Sequence, residues 1–226
     1  MQTLQRGSEI MKEKIIKGLK ACFRSFIWLG VLLLALDIIT KQVIMANNVG
    51  LGNTIADWGI VRINYVLNRG AAFGMGTGNE TANRVIYLIV ACVISLGLGA
   101  YLVIKRKQTK LFFRACFIMI ITGAIGNMID RIFYGPLQNP DAGMFGGYVV
   151  DWIDFWWFWQ FNFNIADCCI VIAAIMLIVY ILVGEVKESI KNRNKEITGE
   201  KVLSKTEQEI EEHKSGKDDT DENIGE

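Results

Sequence analysis

The chain has 226 residues, of which 52% are hydrophobic, and its mean hydropathy of +0.31 is too high for an ordinary soluble domain of this length. Its formal net charge is only +1, but residues 1–184 carry an excess of six positive charges and residues 185–226 an excess of five negative charges. The single histidine, His213, lies in the charged carboxy-terminal part, which excludes most catalysis by His, Cys–His or Ser–His pairs.

Four apolar segments are long enough to cross a bilayer, because a helix rises about 1.5 Å per residue and a span needs about 20 residues. Residues 1–24 form a basic segment ahead of the first span. A cleavable signal peptide could mimic that span, but its apolar run is too long and no small-residue cleavage site follows it, so we expect it to be retained. The predicted spans are residues 25–46, 85–104, 111–133 and 163–184.

The basic residues cluster before span 1, between spans 2 and 3, and after span 4, which places all three clusters on one side of the membrane. Short cytoplasmic loops retain Lys and Arg, so this side is predicted to be cytoplasmic. Both termini are then cytoplasmic, and residues 47–84 and 134–162 lie outside. Residues 185–226 lack aromatic residues and a wide apolar stripe, which predicts a charged cytoplasmic tail that is disordered or loosely helical.

The outer segments have patterns of their own. Residues 55–75 mix β-branched and aromatic residues with Gly and Asn, which favours a small antiparallel strand unit. Residues 152–162 hold four tryptophans and three phenylalanines, a composition typical of the interfacial belt of a membrane protein, although a small soluble core is an alternative. The predicted fold class is an all-α membrane protein with four transmembrane helices, a small extracytoplasmic β unit and a charged cytoplasmic tail.

Polar residues occur at the predicted outer ends of three spans and in the loop before span 4. Asp37 with Lys41 could be a simple intrahelical ion pair, and Asp130 with Arg131 could anchor a helix end at the headgroups. Asp151 and Asp167 have no basic residue at helical spacing, which favours a functional role, since ionisable groups at membrane depth are costly. The polar set is Asp37, Lys41, Asn127, Asp130, Arg131, Asp151, Asp154, Asn164 and Asp167.

Two neighbouring carboxylates in a partly dry site can hydrolyse a peptide without histidine, because they share one proton and titrate as a pair. The ionised carboxylate takes a proton from water, while the protonated one polarises the carbonyl and later protonates the leaving amine. A metalloprotease would need histidine ligands and a Ser–Lys peptidase an outer serine beside lysine, and both are missing. We predict no metal, no cofactor and no nucleic-acid partner, and the five cysteines have no metal-site spacing.

Five short motifs resemble those of the lipoprotein signal peptidases, also called signal peptidase II, and occur in the same order along the chain. Each motif is weak alone, but their order and their predicted side of the membrane make the resemblance specific over residues 25–184. The segment between Arg131 and Val149 is longer than is usual in that family, and its Gly and Pro residues predict an added surface turn. The motifs are DxxTK at 37–41, NRGAAF at 68–73, GNMIDR at 126–131, VVDWIDF at 149–155 and FNIAD at 163–167.

The resemblance implies a bacterial cell-membrane aspartyl endopeptidase that cuts prolipoproteins just before a cysteine carrying diacylglycerol, with its site near the extracytoplasmic face. It implies that Asp151 and Asp167 are catalytic and that Asp37, Lys41 and Asp130 support them. Asn68, Asn127, Arg131 and Asn164 match positions that line the substrate site. Membrane lipids would surround the chain, which we expect to be a monomer. A proton-coupled transporter component and a non-enzymatic scaffold are the alternatives.

Overall fold

The computed structural model describes residues 2–47, 50–70, 79–157 and 159–221. Four of its helices are long and apolar enough to cross a membrane, as predicted. They are α2 (Ile27–Ala46), α3 (Glu80–Ile104), α4 (Leu111–Phe133) and the first part of α6 (Ile165–Asp221), of which Ile165–Lys195 is the candidate span. The chain divides after Leu177 into two compact units, and all the site residues lie in the first.

The largest differences between the helices and the predicted spans occur in three places. Helix α3 begins five residues early because the Asn79 side chain accepts hydrogen bonds from the amides of Thr81 and Ala82, which caps the helix. An unpredicted helix, α1 (Gln2–Ser25), precedes α2. Helix α6 continues past residue 184, so that residues 185–221 are helical, and the tail was expected to be either disordered or loosely helical. That stretch has no proline and is rich in Lys and Glu, which favour helix even without an apolar stripe.

Helix α4 packs against α2 and α3, and glycines allow its close contacts with α2 and α6. A Cβ atom on Gly126 of α4 would lie 2.7 Å from Asp37 Oδ2 and 3.0 Å from the Ala166 Cβ atom. A Cβ atom on Gly123 would overlap the Ala166 carbonyl oxygen. These glycines bring the start of α6 and a buried carboxylate of α2 against the same face of α4, as small residues do between membrane helices.

The segments between α2 and α3 and between α4 and α6 come together in one antiparallel sheet of order β1-β2-β3-β4. Residues 55–75 were expected to form strands: β1 and β2 lie within 54–68, and residues 71–75 fall outside the described residues. The partner β3 was not predicted, because its pairing strand lies far away in the chain. The strands are β1 (Thr54–Asp57), β2 (Arg62–Asn68), β3 (Val149–Asp154) and β4 (Asn162–Phe163).

The sheet packs on the ends of α2 and α4 through a small apolar cluster. Ile63 of β2 and Val150 of β3 contact Ile44 of α2 and Tyr134, which follows α4, and all four are buried. This cluster fixes the height of β3 over the helix ends. It therefore sets the position of Asp151, which is next to Val150 in the chain.

The longer connection between α4 and β3 forms a compact turn that contains the short helix α5 (Gly135–Gln138). The Gln138 side chain donates to the Tyr148 carbonyl at 2.7 Å and accepts from the Tyr148 amide at 2.8 Å. The Phe145 amide donates to the carbonyl of Ile132 in the last turn of α4. The turn thereby closes on itself and leads directly into β3.

Candidate active site

Asp167 lies at the start of α6, in the third position of its first turn. The Asn164 side-chain oxygen accepts from the Asp167 amide at 2.9 Å, and Asp167 Oδ2 accepts from the Asn164 amide at 3.2 Å. This reciprocal pair is a capping box, which satisfies amides that a helix start leaves without partners. The spacing of Asn164 and Asp167 therefore both begins the helix and aims the carboxylate.

Asp151 lies on β3 and is almost fully buried. Its Oδ2 accepts from Asn68 Nδ2 at 2.9 Å, and its Oδ1 accepts from Asn164 Nδ2 at 2.7 Å. Asn68 reaches it across the β2–β3 ladder, in which Val66 is opposite Asp151 and Asn68 is opposite Val149. Strand pairing thus brings an asparagine that is 83 positions away in the chain to this carboxylate.

Asn164 connects the two aspartates. Its side-chain amide donates to Asp151 and also to Asn127 Oδ1 at 3.1 Å, so both of its hydrogens are used. Asn127 in turn donates to Asp167 Oδ1 at 2.7 Å. Every oxygen of the two carboxylates therefore accepts a hydrogen bond, and Asn164, which is 0% exposed, has no freedom to rotate.

A buried ion triad lies behind this network. Lys41 Nζ is 2.7 Å from Asp37 Oδ2 and 2.8 Å from Asp130 Oδ2, and all three side chains are at most 1% exposed. Asp37 Oδ1 accepts from the Ala166 amide, and Asp130 Oδ2 accepts from the Val150 amide. The triad therefore holds the backbone immediately before each of the two aspartates.

Lys41 also contacts the network itself, because its ammonium group donates to Asn127 Oδ1 at 3.3 Å. Asp37 and Lys41 form an i,i+4 ion pair, which is the simpler interpretation of the sequence. Lys41 also pairs with Asp130 of α4, so its charge is shared between two helices. The Arg131 guanidinium lies 5.2 Å from the Tyr87 ring centre and donates to the Asn127 carbonyl, and the anchoring of this helix end at the headgroups by Asp130 and Arg131 stays a prediction.

A groove of about 830 Å³ opens beside the two aspartates. Asp151, Asp167, Asn68, Asn127 and Arg131 line it, whereas the buried Asn164 does not. Its apolar wall comes from the three helices α3, α4 and α6 and includes Val90, Ala91, Ile94, Ala124, Ile170 and Val171.

One end of the groove carries charges that the sequence did not single out. Arg69 and Glu80 both line it and form an ion pair at 3.2 Å. The Tyr148 hydroxyl donates to Glu80 at 2.7 Å, which connects the end of the inserted turn to the start of α3. The spacing of these three residues in the chain gave no signal, because they meet only through the fold.

The site is suited to acid–base chemistry. Burial, together with the negative charge of Asp167, raises the pKa of the Asp151 carboxyl well above its ordinary value, although the amides of Asn68 and Asn164 oppose the shift. Asp151 therefore holds a proton more readily than a free aspartic acid does. A protonated and an ionised carboxyl joined through one asparagine are the two partners that peptide hydrolysis by aspartates requires.

The predicted site residues come together in the structure. The three asparagines expected to line the substrate site, Asn68, Asn127 and Asn164, all donate to the aspartates, and their contact with a substrate stays a prediction. Asp154, which the sequence grouped with Asp151, faces away from the groove and accepts from Asn64 at 2.7 Å. Residues 71–73 of the NRGAAF motif lie outside the described residues.

Comparisons with known proteins show which family this chain is similar to. A family model described as signal peptidase (SPase) II matches residues 29–183. The chain is 35% identical over 162 residues to a lipoprotein signal peptidase of Clostridioides difficile (strain 630), covering 72% of this chain and 97% of that protein. It is also 35% identical over 156 residues to one of Fusobacterium nucleatum, covering 68% of this chain and 84% of that protein.

Two solved structures described as bacterial membrane enzymes have the same fold. One matches with a TM-score of 0.54 and 29% identity over 69% of this chain and 86% of that chain. The other matches with a TM-score of 0.53 and 29% identity over 69% and 91%. The matched family region covers most of each of the four apolar helices and contains both aspartates and the residues that hold them, so this chain belongs to the signal peptidase II family.

Proposed function

We propose that this chain is a membrane aspartic endopeptidase that removes signal peptides from prolipoproteins, cutting before a cysteine that carries diacylglycerol. Asp151 and Asp167 are its catalytic residues. The observation that carries this proposal is the pair of aspartates joined through Asn164 at the wall of a largely apolar groove. One chain supplies both carboxylates and all their donors, which supports action as a monomer.

In this mechanism, Asp167 takes a proton from a water molecule as the water oxygen attacks the scissile carbonyl carbon. Protonated Asp151 donates a hydrogen bond to the carbonyl oxygen, which stabilises the charge that develops there. Asp151 gives its proton to the leaving nitrogen as the carbon–nitrogen bond breaks, and the proton that Asp167 took from water is then the one that the pair shares. The products are a free carboxyl and a free amine, and the pair returns to its initial state with one shared proton.

The groove suggests how a lipid-modified substrate is recognised. Val90 and Ile94 of α3 face Ile170 and Val171 of α6 in its apolar wall, which suits acyl chains that enter sideways from the bilayer. Arg131 and Asn68 lie nearer the aspartates, where peptide groups would need hydrogen-bond partners. Binding energy from the chains would then position the scissile bond at the carboxylates.

We expect the purified chain to cleave a prolipoprotein peptide whose cysteine carries diacylglycerol more than about a hundredfold faster, by kcat/KM, than the unmodified peptide. Burial of about four methylene groups at roughly 0.8 kcal/mol each is sufficient for such a ratio. The measurement is cleavage in detergent micelles followed by mass spectrometry. Equal rates for the two peptides would contradict lipid recognition. If neither peptide were cleaved, the peptidase assignment would be wrong.

The site lies at the extracytoplasmic face in this proposal, with both termini cytoplasmic. Support comes from the cluster Lys105, Arg106 and Lys107 between α3 and α4, since such clusters mark cytoplasmic loops. In intact cells, a cysteine placed at exposed Asn79 should react with an impermeant maleimide, and one placed at exposed Gln108 should react only after lysis. The opposite pattern would place the site on the cytoplasmic side.

A further inference from the structure

Helix α1 (Gln2–Ser25) lies before the region that matches the family, so family membership assigns it no role. Its described side chains divide into two faces. Lys14, Lys17, Lys20 and Arg24 recur at spacings of three and four residues and share one face of the helix, which also holds one described acidic residue, Glu13. Met11, Ile15, Cys22, Ile16 and Phe23 fall on the other side.

None of the described residues covers the apolar face of α1. Met11 is 64% exposed, Ile15 55%, Ile16 50% and Phe23 66%. Scattered exposed apolar residues are common on protein surfaces, but four on one face of one helix form a continuous apolar stripe. Such a face next to a basic face is typical of a helix that lies in the membrane interface.

The end of α1 is fixed where the membrane-spanning part begins. Phe26 adopts a left-handed backbone conformation with φ of 58°, which prevents α1 from continuing as one helix into α2 at Ile27. The last carbonyls of α1 are satisfied locally, since Ser25 Oγ donates to the Cys22 carbonyl and Trp28 Nε1 to the Phe23 carbonyl. The chain therefore changes direction at a well-defined position.

Arg114, in the first turn of α4, attaches this end of α1 to the α3–α4 loop. Its guanidinium donates to the carbonyls of Arg24 and Arg106, and its Nε donates to the Thr109 carbonyl at 3.1 Å. The end of α1 thus lies at the same membrane boundary as the start of two spans. The exposed apolar side chains of α1 are followed along the chain by exposed apolar side chains at the start of α2, among them Ile27 and Val31.

We propose that α1 is an interfacial helix that binds anionic phospholipid, with its apolar face in the acyl region and its basic face against the headgroups. The charge of the face selects the lipid, because a Lys or Arg near an anionic surface is attracted to it and the attraction falls off within a Debye length. The inference does not depend on the proposed peptidase function. It holds for either orientation of the chain.

The test uses the full-length protein in lipid vesicles. A ketone-bearing amino acid that carries a nitroxide label replaces Ile15 in one sample and Lys17 in the matched control. In phosphatidylglycerol vesicles, the ratio of collision rates with oxygen and with a water-soluble nickel complex should be severalfold higher at position 15 than at position 17. In phosphatidylcholine vesicles, and in the K14Q/K17Q/K20Q variant labelled at position 15, the ratio should fall toward the control value. Thermal unfolding of each labelled protein checks that it is folded.

Equal ratios at the two positions in phosphatidylglycerol would overturn the proposal. A high ratio at position 15 that is the same in both lipids would overturn the role of the basic face. Protection of position 15 from both oxygen and nickel would show that a protein covers this face, which also contradicts binding of lipid.

Discussion

Replacing Asp151 or Asp167 by asparagine is expected to lower kcat for cleavage of a lipid-modified prolipoprotein by about a thousandfold or more, since general acid–base catalysis contributes roughly 10²–10⁴-fold. Asparagine keeps the shape of the side chain but cannot take up or release the proton. Both variants should remain folded, because each exchange leaves one oxygen that can still accept a bond from Asn164 or Asn127. The measurement is single-turnover cleavage in detergent, with thermal unfolding of each variant alongside.

Asp154→Asn is the matched control, because Asp154 lies on the same strand as Asp151 but outside the groove. It should cleave at a rate close to that of the unchanged chain.

Asn68→Ala tests whether Asp151 acts in its protonated form. Its amide favours the ionised form, so its loss should raise the pKa of Asp151 further and move the alkaline limb of the pH–rate profile to higher pH. Undiminished cleavage by Asp151→Asn or by Asp167→Asn would contradict the assignment of these two aspartates as catalytic.

Lys41→Met is expected to destabilise the protein by about 3–5 kcal/mol, because it leaves two buried carboxylates without their counter-charge. In a chain of this size, that loss corresponds to a decrease of roughly 10 °C in the unfolding temperature. Cleavage should fall as well, since Asp37 and Asp130 would no longer be held against the amides of Ala166 and Val150. The measurement is thermal unfolding in detergent together with the cleavage assay.

Lys107→Met serves as the control, because Lys107 is exposed in the α3–α4 loop and an exposed substitution of this kind changes stability by at most about 0.5 kcal/mol. A triple variant with Lys41→Met, Asp37→Asn and Asp130→Asn tests the cause. It contains no buried charge at these positions, and each asparagine oxygen can still accept the backbone amide. We expect it to recover most of the lost stability. A triple variant as unstable as Lys41→Met would show that packing of the lysine stem, rather than its charge, is responsible.

The membrane-spanning helices were predictable because about 20 consecutive apolar residues are a direct consequence of bilayer thickness. The prediction for α4 coincides with the helix, and the prediction for α2 begins two residues early. Polar residues at span ends also carried information, since Asn164 and Asp167 at i and i+3 form the capping box at the start of α6. The family match confirms the aspartic peptidase prediction and does not favour the transporter alternative.

Other features were not predictable because they depend on contacts between distant segments. Strand β3 carries Asp151, but its partner β2 lies on the far side of two spans, so local pattern alone indicated a loop. The aromatic cluster after β3 was expected to be an interfacial belt, and that remains a prediction. Two of its indoles have protein partners, because Trp156 and Trp157 donate to the carbonyls of Gly59 and Ile60. Phe158 lies outside the described residues.

The β2–β3 pairing has a consequence for biogenesis. A chain that the ribosome has extended only to β3 already contains Asp151 and Asn68, but it still lacks Asn164 and Asp167, which begin the final span. In the proposed mechanism, which needs both aspartates, a nascent chain therefore cuts nothing until its last membrane segment has been made, whatever the rate at which the earlier helices insert. Proteolytic competence would then be a property of the finished polypeptide, which would protect neighbouring precursors from half-built copies of the enzyme.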